Sequence, residues 1–122
     1  MTTDATSALH GKTCVMTGAT SGIGLAAAVE LAARGARLVL VARNPARADE
    51  AIRAVHARTP NAPIEIVRGD LARLADVRNA ADAILARCAE IHLLWNNAGI
   101  VKLRRELTAD GFEAMFGVNH LA

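Results

Sequence analysis

The chain has 122 residues, enough for one modest domain and too few for two. Hydrophobic residues make up 52% of it, although 27 of them are alanine, and 14 basic against 12 acidic side chains leave a net charge of +2. That balance excludes a disordered tail, a collagen-like repeat and a strongly basic arm for nucleic acid.

In chain order, Met1 to Lys12 is polar and holds no apolar stretch of the signal-peptide kind. Thr13-Cys14-Val15-Met16-Thr17 reads as a first strand, followed by a glycine-punctuated turn and a helix from Gly22 to Arg34. The apolar positions Ile23, Ala27 and Leu31 fall four apart and predict the buried face, and Gly35 supplies a left-handed stop. Arg37 to Ala42 is a second strand, apolar through its middle and so expected to be covered on both sides. Asn44-Pro45 predicts an N-cap with proline in the first helical position, opening a helix towards Arg58 that the prolines at 60 and 63 end.

Ile64 to Arg68 is the third strand, closed by Gly69-Asp70-Leu71. Leu74, Val77, Ala81, Ile84 or Leu85, and Cys88 form one apolar helical stripe. A fourth strand, Ile91 to Trp95, runs into Asn96-Asn97-Ala98-Gly99, and a last helix is expected from Thr108 to the end of the chain. That helix has no terminating signal, so the chain reads as part of something longer. Strands alternating with helices predict βαβ units on a parallel sheet. Cys14 and Cys88 have no ligand spacing and read as reduced core thiols. The four histidines offer no metal motif either. The longest apolar runs are strand-sized, so no membrane span and a cytoplasmic protein are expected.

Thr17-Gly18-Ala19-Thr20-Ser21-Gly22-Ile23-Gly24 sits between strand and helix, the context of a dinucleotide fingerprint. Gly18 allows the sharp turn off the strand, Gly22 lets backbone approach a pyrophosphate, and Gly24 allows close helix packing. The helix N-terminus favours the phosphate charge, and the Thr20 and Ser21 hydroxyls can reach phosphate or ribose oxygens. The alternative is a tight turn that binds nothing. After the second strand, where a carboxylate would accept from a ribose 2′-hydroxyl, stands Arg43, 19 residues beyond Gly24. A guanidinium there pairs with a 2′-phosphate, which argues for NADP(H) over NAD(H). The alternative is a solvated surface arginine. Arg37 and Arg47 are possible helpers.

Residues 17–24 resemble the T-G-x-x-x-G-I-G motif of the short-chain dehydrogenase/reductase family. Asn96-Asn97-Ala98-Gly99 is similar to that family's N-N-A-G, and Asp70-Leu71 to its acidic adenine-side position. The resemblance spans residues 11–122, and residues 110–121 are similar to the branch of retinol dehydrogenases and WW-domain oxidoreductases. It implies a doubly wound α/β (Rossmann) sheet, here partial, with strand order 3-2-1-4 and the fourth helix cut short. Residues 11–122 would be its cofactor-binding part, behind a polar tail over 1–10. Asp70 would accept from the adenine amino group with Leu71 beside it, although a turn or N-cap role is the alternative. Asn97, Ala98 and Gly99 would line the adenosine ribose and hold the central strands together. Asn119 lies on the apparent core face of Phe112, Met115 and Phe116, where its carboxamide needs partners. In the family that asparagine holds a water linking the catalytic lysine to solvent; a buried asparagine bonded to neighbouring backbone is the alternative.

The resemblance implies hydride transfer between NADP(H) and a small alcohol or carbonyl substrate, by a longer and homo-oligomeric protein. The chemistry needs a tyrosine, whose ordinary pKa near 10 must be lowered by a lysine four residues on. The chain has no tyrosine, and its lysines are Lys12 and Lys102, so these residues alone are expected to be inactive. A non-catalytic nucleotide- or partner-binding remnant is the rival reading. An S-adenosylmethionine-dependent methyltransferase is a weaker one, because it also favours an acidic residue where Arg43 stands.

Overall fold

Four short runs of strand-forming residues pair into one parallel sheet in the computed structural model, which describes residues 8–122. The first seven residues of the polar stretch expected over 1–10 lie outside it. The elements are β1 (Thr13–Thr17), α1 (Gly22–Ala33), β2 (Arg37–Ala42), α2 (Pro45–Arg58), β3 (Ile64–Arg68), α3 (Leu74–Arg87), β4 (Leu93–Asn96) and α4 (Ala114–Phe116). A turn of wider π-helix, Gly117–Leu121, continues α4. The strand order is β3-β2-β1-β4, and every neighbouring pair is parallel. The parallel sheet expected from the alternation, and the doubly wound order 3-2-1-4 implied by the resemblance, are the ones observed.

Side chains alternate across a strand, so β1 and β2 feed two cores. Cys14, Met16, Leu38 and Leu40 pack on one face against Ala28 and Ala32 of α1 and Ala51 and Val55 of α2. Val15, Val39, Val41 and Val67 pack on the other against Ala80, Ile84 and Cys88. Both faces of β2 are therefore buried, as its continuous apolar run implied.

The helix ends follow local chemistry. Asn44 Oδ1 accepts from the Ala46 and Arg47 amides at 2.9 and 3.2 Å, with Pro45 in the first turn. Gly35 sits at φ +93°, its N–H bonded to Ala32 O and the next N–H to Leu31 O, which closes α1 with a Schellman turn. Glu30 on α1 pairs with Arg34 and with Arg58 of α2, and these two cations hold its carboxyl below the usual carboxylate range.

Several expectations shift. The buried stripe of α1 is Gly24, Ala28 and Ala32, one residue on from the expected face, and Ile23 is 79% exposed. Only the smallest side chains fit where α1 lies against the sheet. On α3, Ala80 and Ile84 are buried while Ala81 and Leu85 face solvent. β4 begins at Leu93 rather than Ile91, because the Thr13 N–H is taken by His92 Nδ1 at 3.0 Å instead of a backbone carbonyl. The regular ladder can start only at the next pair, Cys14 with Leu93. β4 is an edge strand, with Leu93 and Leu94 both exposed.

The last helix does not start at Thr108. Residues 108–112 form a turn closed by Thr108 N–H to Phe112 O and Gly111 N–H to Thr108 O. Gly111 is at φ +83°, and Leu107 bridges Glu113. Glu113 is the true cap, accepting from the Met115 and Phe116 amides at 3.1 and 2.8 Å. A lone apolar period over 112–119 hid this turn, whose glycine was the available signal. Two predictions follow from the packing and the cap. Leu40→Ala should cost about 2–5 kcal/mol in urea unfolding, since Leu40 is fully buried. The Phe116 and Met115 amides hold the Glu113 carboxyl below the usual glutamate range. Its capping is thus complete above that range and lost as the pH falls through the lowered value. The Met115 and Phe116 amide resonances should titrate together there, and stop doing so in Glu113→Ala.

Candidate functional site

Strand order reverses beside β1, and a crevice opens at the carboxyl ends of β1 and β4, the usual ligand position in such sheets. Beside it the glycine turn joins β1 to α1. Gly18 has φ +66°, and a Cβ there would lie 2.7 Å from the Ala98 Cα. A Cβ on Gly24 would fall onto the Gly18 carbonyl oxygen and 2.7 Å from Asn97 Nδ2. Both glycines are needed for contact between the turn and the loop after β4. Gly22 differs: at φ +54° it faces open space, free for a ligand to approach. Ser21 begins α1 in extended conformation, and its hydroxyl makes no capping bond. The first-turn amides of a helix have no intrahelical acceptors, so this end can accept an anion.

The loop after β4 is held from both sides. Asn97 Nδ2 donates to Gly18 O at 3.1 Å, and the Ala98 N–H donates to Thr17 Oγ1 at 3.1 Å. Asn119 reaches back with both ends of its carboxamide. Its Oδ1 accepts from Ile100 N–H at 2.8 Å, and its Nδ2 donates to Ile100 O at 2.9 Å. The expected core position of Asn119 is not observed: it is exposed, and Ala114 and Gly117 are the buried residues there. Backbone bonding, rather than burial, satisfies it.

Arg43, Asp70 and Leu71 meet at one cleft of about 350 Å³, together with Ala72, Ile100 and Lys102. Thr108, Ala114 and Val118 also line it. Asp70 Oδ1 accepts from the Ala72 N–H at 2.9 Å, and its own N–H donates to Asp76 Oδ2, so the expected turn role is present. Arg43 is exposed and forms no ion pair among the described residues. Ala98 and Asn119 line an adjoining hollow that shares Leu71 and Val118 with the cleft. Thr20, Ser21, Gly22 and Ile23 line neither. Arg37 is not a helper: it lies at the opposite end of β2 from Arg43 and donates to Glu65 Oε2 at 2.7 Å. Arg47 lines neither hollow.

Ile100, Thr108 and Val118 escaped the sequence reading. Ile100 follows the Asn-Asn-Ala-Gly run and Val118 precedes Asn119, so both stood beside a recognised residue. Among the described residues no group of histidine, cysteine, aspartate or glutamate could hold a metal ion. None of their helices is long and apolar enough to cross a membrane.

A family model described as short chain dehydrogenase matches residues 12–122. The chain belongs to the short-chain dehydrogenase family. Human retinol dehydrogenase 12 is 40% identical over 113 residues, covering 93% of this chain and 36% of that protein. Mouse retinol dehydrogenase 11 is 42% identical over the same length and shares. Levodione reductase superposes with a TM-score of 0.78 at 30% identity, covering 91% of this chain and 44% of that one. A Serratia marcescens short-chain dehydrogenase/reductase gives 0.77 at 28%, covering 93% and 46%. The chain thus spans little more than a third of the curated relatives, and its likeness to retinol dehydrogenases agrees with the reading of residues 110–121.

The glycine contacts can be separated by mutation. Gly24→Ala should destabilise the protein by about 1–3 kcal/mol or more, because its methyl meets backbone that cannot yield. Gly22→Ala should cost only the left-handed strain, about 1–2 kcal/mol. Urea unfolding of both variants, with the Asn97 side-chain amide followed by NMR, should show that resonance displaced in Gly24→Ala alone.

Proposed function

We propose that residues 11–122 are the nucleotide-binding part of an NADP(H)-dependent oxidoreductase acting on an alcohol/carbonyl pair. Arg43 is the observation that carries the cofactor preference. It stands exposed just after β2, without an ion-pair partner among the described residues, in the cleft of Asp70 and Leu71, and no carboxylate follows β2 before Asp49. Three features support a dinucleotide here: Gly22 leaves open space, the first turn of α1 is uncapped by Ser21, and the Arg43 guanidinium has no carboxylate partner among the described residues.

In this reading the backbone of Ser21 to Gly24 binds the pyrophosphate, with the Thr20 and Ser21 hydroxyls as further donors and Ile23 completing the turn. Arg43 binds the 2′-phosphate in two parallel charge-assisted bonds. The second carboxylate oxygen of Asp70, outside its turn, accepts from the adenine amino group beside Leu71. Asn97, Ala98 and Gly99 form the wall next to the adenosine ribose. When bound, the nicotinamide supplies the hydride donor or acceptor. Asn119 keeps the Ile100 backbone in place and, by family likeness, positions water near the reacting groups.

The relatives' names point to both directions of such a reaction, retinol for a dehydrogenase and levodione for a reductase. The 122 residues contain no tyrosine, so we expect them to have no dehydrogenase activity by themselves. A longer, homo-oligomeric cytoplasmic protein belongs to the same proposal. The rival, a non-catalytic nucleotide- or partner-binding chain, draws support from the open edge of β4. The family match removes the methyltransferase reading.

Titration of intrinsic NADPH fluorescence tests the cofactor reading. The wild type should bind NADPH more tightly than NADH, and Arg43→Ala should weaken NADPH by about tenfold or more while leaving NADH nearly unchanged. Equal binding of the two by the wild type contradicts it. Consumption of NADPH with any carbonyl substrate, above a no-protein control, contradicts the expected inactivity.

A further inference from the structure

Lys102 and Glu106 line the same cleft as Arg43 and Asp70, at a distance of 3.1 Å from one another. Their side chains are 40% and 55% exposed, so the pair is solvated and contributes little to the fold. Its setting is fixed while its charges are free to move. Ile100 is clamped by Asn119 on one side, and on the other the Glu106 carbonyl accepts from Ala114 N–H at 2.8 Å. Between those anchors Lys102 carries its ammonium on a flexible four-carbon stem. The cleft's other cation, Arg43, has no carboxylate partner among the described residues, whereas Lys102 has Glu106.

We propose that Lys102 is a second specificity-determining cation of this cleft, and that Glu106 competes with the bound anion for it. An empty cleft leaves the ammonium on Glu106. An incoming nucleotide with a phosphate on the Arg43 side draws it away, so the anion gains a second positive partner and Glu106 returns to water. The inference rests on the nucleotide reading of the cleft given above, and adds that discrimination is shared between two cations and tempered by one carboxylate. The two members of the pair then act with opposite sign. Removing Lys102 deprives the anion of a partner. Removing the Glu106 charge frees Lys102 and also removes a repulsive carboxylate. An ion pair serving only the fold would respond alike to loss of either member.

Isothermal titration of the protein with adenosine 2′,5′-bisphosphate and with adenosine 5′-monophosphate tests this, because the two differ only in the 2′-phosphate. Lys102→Met should weaken the bisphosphate by about three- to tenfold and the monophosphate by less than about twofold. Glu106→Gln should tighten the bisphosphate by about two- to fivefold, with the gain shrinking as salt rises. Both side chains are solvated, so melting temperatures should stay close to the wild type, and Lys102→Arg should retain most of the preference. If wild type prefers the bisphosphate yet neither variant alters that preference, or both weaken it, Lys102 has no such role and the nucleotide reading stands. If wild type shows no preference for the bisphosphate, the reading of the Arg43 side fails, and this inference with it.

Discussion

The carboxyl end of the sheet depends on the approach of the loop after β4 to the glycine turn after β1. Asn97 spans that gap to the Gly18 carbonyl, and Thr17 receives the Ala98 amide. A Cβ at position 18 would meet the Ala98 backbone, and one at position 24 the Gly18 carbonyl and the Asn97 amide, so either would disrupt this contact. The contact aligns the start of α1, with its unpaired amides, beside the loop that leads to Ile100 and the Arg43 cleft. Two glycines far apart in role from any reacting group thus set the geometry on which binding relies.

Stability comes from elsewhere. The alternating side chains of β1 and β2 bury Met16, Leu38 and Leu40 on one face and Val15 and Val39 on the other. Burial of a side chain of this size is worth roughly 1.5–3 kcal/mol, so these two strands anchor the sheet. The helices meet them through Ala28, Ala32, Ala51 and Ala80, which add little area each but let the helix axes lie close. This explains how an alanine-rich chain with three aromatic residues still packs two cores. The periphery is organised differently: β4 leaves Leu93 and Leu94 open, and α4 is held by a glutamate cap and a β-bridge, with little burial beyond Ala114.

Much of the candidate site was legible because its residues act through the backbone. A glycine that must adopt a positive φ, or an asparagine that caps a helix, carries its reason within a few residues, as Gly18 and Asn44 show. Arg43 was legible by the absence of an acidic alternative. Asn119 was recognised as a residue in need of partners, but its exposure was not, because the apolar spacing of Phe112, Met115 and Phe116 imitates a core face. Lys102 and Glu106 had no sequence signal beyond their spacing. Their proposed importance arises from a cleft whose walls come from the loops after β2, β3 and β4, the turn before α4, and α4 with its continuation.

From sequence alone came the alternation of strands and helices, the parallel sheet and its order, the glycine turn and the family resemblance. The alternation, the parallel sheet and the glycine turn follow from local rules, namely side-chain period, cap and turn chemistry, and backbone freedom at glycine, whereas the strand order came through the family resemblance. Only the tertiary structure decided which stripe of α1 is buried, where β4 begins, how Asn119 is satisfied, and which charges share the cleft. Each of those depends on contacts between residues distant in the chain. Helical period allows adjacent stripes nearly equally, and the choice between Ile23 and Gly24 is made by the space left beside the sheet.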